Sequence, residues 1–149
     1  MVDVRHVADQ VLSHFKYPIS TMKLQKLCYI AHGWSLAISD EPLVDDGFEA
    51  WANGPVSRKL FRAHAYQGSV DSITGGDRNM LTMAQRATID GVVLAYAGLS
   101  AQQLSDKTHQ PGTPWTEARQ GLPAGTRSSR PLSDESIKKH FKELLKVRD

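Results

Sequence analysis

Residues 49–64 read "EAWANGPVSRKLFRAH", and what they form decides how the chain folds. Trp51 is followed by Asn53-Gly54-Pro55, and a basic pattern of helical spacing begins at once. Proline suits a first helical position, because its φ is preset and its missing N–H would be unpaired there. Asn53 or Gly54 then takes the cap, with Gly54 free to adopt angles that other residues avoid. This predicts a helix over 55–66 that buries Val56, Leu60 and Ala63, with Phe61 at its margin and Gly68 closing it. Upstream, Leu43-Val44 and Phe48–Trp51 read as two short strands around Asp45-Asp46-Gly47. The stretch is therefore expected to join a strand to a helix. One glycine at a helix start lacks the spacing of a phosphate-binding loop.

The segments on either side are helical. Val4, Val7, Ala8, Val11, Leu12 and Phe15 recur at three- and four-residue steps after Asp3, a good cap, and Tyr17-Pro18 stops the run. Ser20 caps a second helix carrying Leu24, Leu27, Cys28, Ala31, Trp34 and Ile38, widened by Ile30 and Leu36. That breadth marks it as central, and Gly33 within it implies an element crossing close by. Downstream, residues 68–80 read as a polar loop. Thr82 with Gln85, and Ser100 with Gln103, are capping boxes that open two more helices. The first of these turns Ile89, Val92, Val93, Tyr96 and Leu99 inward. Residues 110–131 hold four of the seven prolines, and only 114–118 reads as a helical turn. Ser133 caps a last helix with Ile137, Phe141, Leu144 and Leu145 on its core face, and Lys146 and Arg148 suit its terminal dipole. The sum is a mainly α, compact single-domain bundle of six or seven helices over 1–149, with a small β-hairpin.

Composition narrows what such a bundle can do. At 149 residues it can bury a real core, and a net charge of +2 does not by itself imply nucleic acid or membrane. A single cysteine excludes an internal disulfide and multi-cysteine zinc sites. Charged residues interrupt the first twenty positions, and no apolar run approaches a membrane span, so a cytoplasmic location is expected.

Catalytic chemistry finds no foothold. The six histidines form no metal-ligating spacing, and Cys28 lies on an apolar stripe where packing is its natural role. Asp45-Asp46 is explained by turn chemistry. No catalytic residue, metal site or cofactor is expected. Two features are left. His109, Pro114 and Trp115 mark a corner where His109 meets carbonyls at a helix end and Trp115 packs as an anchor. Arg58, Lys59 and Arg62 make a basic face, either solvated or set against a partner. With Arg127 and Arg130 they also admit a nucleic-acid-binding alternative, although no recognition helix stands out.

The residues 23–34, "KLQKLCYIAHGW", resemble the central helix of the Panacea (SocA-like) antitoxin-domain family. Pro42-Leu43 followed by Phe48-Glu49-Ala50-Trp51 and Gly54-Pro55-Val56 is similar to that family's second block. Leu104-Ser105, Thr108-His109 and Pro114-Trp115 are similar to its third. The resemblance implies a mostly helical, bacterial or phage-associated antitoxin that neutralises a toxin by direct protein binding. The toxin would be encoded by an adjacent gene, and an ATP-dependent protease could be a further partner. Leu24, Leu27, Trp34, Trp51, Gly54, Pro55, His109, Pro114 and Trp115 carry the resemblance and read as structural. No contact residue transfers with it.

Overall fold

The computed structural model describes residues 1–148, with side chains described through residue 146. Helix α2 (Thr21–Ser39) forms the axis, against which α1 (Val4–Leu12), α4 (Met83–Tyr96), α5 (Ala101–His109) and α7 (Asp134–Arg148) pack. Shorter helices α3 (Arg58–His64) and α6 (Pro114–Arg119) complete the seven α-helices among the described residues. Helix α2 is buried without a break from Leu24 to Ala37, as a helix covered on all sides must be. Its glycine explains how α7 comes so close. A Cβ at Gly33 would lie 2.2 Å from the Phe141 ring, so only glycine admits that contact. Apolar side chains from the helices and loops join in one contiguous core.

The expected caps of α1, α2 and α7 are in place. Asp3 accepts from the Arg5 amide, Ser20 from Lys23, and Ser133 from Ser136. Both capping boxes are closed in each direction. The stripes of α2 and α7 end sooner than their periodicity suggests. Ile38 is 66% exposed, and Leu144 and Leu145 are more than one-third exposed. Periodicity marks a stripe but not where the elements covering it stop. Residues 68–80 are more ordered than a polar loop: Ser69–Val70 (β4) pairs antiparallel with Ile19–Ser20 (β1), and a 3₁₀ turn spans Arg78–Met80. The side chain of Arg148, expected to complement the helix dipole, lies outside the described residues.

The hairpin is displaced from its expected place. Glu49–Trp51 (β2) pairs antiparallel with Gly54–Val56 (β3), so Ala52-Asn53 is the turn and Pro55 is in a strand. Ser57, not Asn53 or Gly54, caps the following helix, which starts at Arg58, and its hydroxyl accepts from the Leu60 amide at 3.2 Å. Proline is tolerated in β3 because its partner across the ladder, Ala50, turns its amide the other way, onto the Arg130 carbonyl at 2.7 Å. No N–H is wanted at position 55. Gly54 does take an unusual angle, φ +119°, at the exit of the turn. Leu43-Val44 does not pair with Phe48–Trp51. It instead bridges Val2 in parallel, with the Val2 amide on Leu43 at 2.9 Å and the Asp45 amide on Val2 at 3.0 Å.

Candidate partner-binding groove

Backbone carbonyls along 50–57 are held by side chains from three helices. Arg119 of α6 donates to Ala50 at 3.2 Å, and the Trp115 indole donates to Trp51 at 2.5 Å. From α5, the Ser105 hydroxyl donates to Asn53 at 2.7 Å. From α2, the Lys26 ammonium donates to Pro55 at 2.9 Å. Gln25 takes both groups of Ser57, accepting from its amide at 2.9 Å and donating to its carbonyl at 3.1 Å. A hairpin this short has little stability alone, and these clamps supply what its own ladder cannot. They also explain why sequence blocks far apart in the chain occur together.

Family-signature residues fall into this frame. Leu24 and Leu27 are fully buried. Trp34 is buried against Phe141 and donates to the Tyr96 hydroxyl at 3.1 Å. His109 turns Nδ1 to the Ser105 carbonyl one turn back, and its ring meets the buried Trp115 edge-on at 5.2 Å. Pro114 opens α6. Three polar anchors carried no separate sequence signal: Gln25, Lys26 and Arg119, all at most 3% exposed. Lys26 lies beneath Gly54, and burial lowers its pKa to about 7. Arg119 lies over Trp115 at 4.7 Å and also reaches the carbonyls of Pro123 and Thr126.

Arg58, Lys59 and Arg62 do not share one environment. Arg58 grips Glu49 through two bonds of 3.0 and 2.8 Å and lies over the Trp51 ring at 5.3 Å. That contact holds the Glu49 carboxyl below its ordinary pKa, helped by the Trp51 indole. Lys59 points elsewhere, among Asp3, Asp45 and Asp46 at 3.2–3.5 Å. Arg62 is exposed. Arg130 donates to the Arg119 carbonyl at 2.6 Å, whereas Arg127 is exposed.

Between the hairpin, the start of α2 and residues 127–129 lies an open groove of about 700 Å³. Gln25 and Lys26 line its floor, and Trp51, Arg58 and Phe61 line one wall. The Trp51 and Phe61 rings meet edge-on at 4.9 Å. His64, also lining the groove, bonds Gln25 at 3.0 Å, and burial lowers its pKa, so it is neutral at pH 7. Arg127, Ser128 and Ser129 line it too. The histidine buried in the core, His32, is fully used: Nδ1 accepts from the Leu43 and Val44 amides and Nε2 donates to Asp134. Cys28 is fully buried, and burial pushes its thiol well above the usual range. Among the described residues, no three His, Cys, Asp or Glu side chains gather as a metal site requires.

A helical domain built around a hairpin clamped in this way belongs to the antitoxin SocA-like, Panacea domain family, whose model matches residues 24–116. The matched span runs from the start of the buried stretch of α2 to the Trp115 anchor. Beyond it, the chain is 31% identical to Antitoxin SocA of Caulobacter vibrioides (strain NA1000 / CB15N) over 158 residues. That alignment covers 95% of this chain and 83% of the relative. No solved structure matches the chain.

Proposed function

We propose that the protein is an antitoxin that neutralises a toxin by direct, stoichiometric protein binding, with the groove beside the hairpin in the interface. The observation that carries this reading is the groove itself, in a chain of the SocA-like family: it offers Trp51, Phe61 and Arg58 on a backbone made rigid by helix side chains. Aromatic and arginine residues are the usual energetic anchors of protein interfaces, and a rigid backbone lowers the entropy lost on binding. Nucleic acid is less well served, because Arg58 and Lys59 are engaged by carboxylates and Arg130 by a carbonyl. No helix among the described residues is long and apolar enough to cross a membrane.

Co-expression with the product of the adjacent gene tests the reading. Growth is expected only when both are made, and the purified pair is expected to elute as a complex of fixed ratio. Toxicity unrelieved by this chain, or relief with no complex between the two proteins, would overturn direct neutralisation.

A further inference from the structure

We propose that the groove receives an acidic stretch of an extended polypeptide, one of whose carboxylates enters to meet the ammonium of Lys26. The inference rests on the antitoxin reading only for the source of that polypeptide, a segment of the toxin. Lys26 is 1% exposed, and its one hydrogen-bond acceptor among the described residues is the Pro55 carbonyl. An ammonium carries three donors, so two are left. No carboxylate of the described residues forms an ion pair with it. An uncompensated cation beneath the surface opposes folding, whereas a methionine would fill similar space without that penalty. A lysine placed at such a cost calls for a counter-ion from outside.

The walls select the kind of counter-ion. Lys26 and Arg127 line the groove beside Arg58, whose charge Glu49 already pairs, and no aspartate or glutamate lines it. A Cβ at Gly54 would lie 3.1 Å from Lys26 Cε and Nζ, so glycine keeps a side chain off the ammonium. Beside it, the edge-on Trp51–Phe61 pair offers an apolar wall for a residue next to the carboxylate. Exposed Asn53 and Ser129 at the rim supply polar groups for an extended backbone. A carboxylate brings its charge on a slim stem that can reach a recessed lysine. Nucleic acid carries charge along a bulky backbone and needs a row of exposed cations, which this groove lacks. Burial holds Lys26 near its titration midpoint at neutral pH, with a pKa of about 7, and an arriving carboxylate would draw it to the protonated form.

The probes are fluorescein-labelled heptapeptides of mixed Asp, Glu, Phe and Leu composition, the matching Asn/Gln set, and a single-stranded oligothymidylate. The parent should bind the acidic set saturably and the amide set at least tenfold more weakly. Lys26→Met should weaken acidic binding by about thirtyfold, the loss typical when one partner of a buried charge pair is removed. Its melting temperature should stay within a few degrees of the parent's, because removing the buried charge offsets the lost bond to the Pro55 carbonyl. Arg127→Gln should cost only a few-fold, through a slower association. Equal binding of both peptide sets, or unchanged binding by folded Lys26→Met, would overturn the proposal. So would tighter binding of the oligothymidylate, which would make the groove a nucleic-acid site. Should Lys26→Met not fold, NMR titration of the Lys26 side chain in the parent decides: the acidic set must raise its midpoint by more than a pH unit, and an unmoved midpoint refutes the idea. Growth rescue without acidic-peptide binding would refute the groove and leave the antitoxin reading standing. Peptide binding without rescue would do the reverse.

Discussion

The two halves of α2 hold their neighbours by different means. Toward its C-terminal end, contact with α7 is mainly apolar and close, with one hydrogen bond from His32 to Asp134 beside it: Gly33 lies under the Phe141 ring, and Trp34 meets the same ring edge-on at 5.3 Å. Toward its N-terminal end, Gln25 and Lys26 reach across to backbone atoms of Pro55 and Ser57. The apolar half fixes where α7 lies. The polar half fixes the course of a backbone segment with too few residues for a core of its own. Burial is non-directional, whereas a side-chain amide meeting both groups of one residue specifies position closely. The groove stands over the polar half, where geometry is set by hydrogen bonds.

Four substitutions probe that contrast. Gly33→Val should be the most damaging, at about 3 kcal/mol or more, because the ring must leave a packed core. Adding Phe141→Ala should recover part of the loss in urea unfolding. A parent-like midpoint for Gly33→Val would show that α7 is not seated there. Gln25→Leu should cost about 2 kcal/mol by leaving the Ser57 amide and carbonyl unpaired, and hydrogen exchange should quicken along 50–57 first. Uniform loss of protection would mean that the hairpin is not separately clamped.

Lys26 gives the smallest effect and a sign of its own. Below pH 7 the lysine is protonated in both folded and unfolded chains, and its buried charge weighs on the fold. Above that, the folded lysine is neutral while the unfolded one, with its ordinary value of 10.5, still holds a proton. The unfolded chain then binds more protons, so stability rises with pH. Lys26→Met should lack this slope between pH 7 and 9. Identical pH profiles in the two proteins would place the lysine in water.

The same contrast decides what could be read in the sequence. Helix caps and apolar stripes are local or periodic, so α1, α2, α4, α5 and α7 were legible, with errors where a stripe outruns its cover at Ile38, Leu144 and Leu145, and where α1 and α4 stop short of Phe15 and Leu99. The hairpin was misplaced because Asp45-Asp46-Gly47 carries stronger turn chemistry than Ala52-Asn53, and because proline in a strand depends on a neighbour's amide pointing away. Nothing in the sequence alone tells that Ala50 bonds to Arg130. Gln25, Lys26 and Arg119 were illegible as clamps for a like reason: a polar residue on a helix declares no partner until the fold brings one. Arg58, Lys59 and Arg62 looked like one face because helical spacing was all there was to read, whereas acidic residues outside the helix draw the first two apart.

Cys28 has a practical consequence. It is the chain's single cysteine, and thiol reagents attack the exposed thiolate, which burial denies it on both counts. The folded protein should therefore pass unmodified through maleimide or mild oxidant. A cysteine introduced at the exposed rim, as in Ser129→Cys, would then be the one position to take a dye. A fluorophore so placed would report directly on what enters the groove, in the chain's otherwise native sequence.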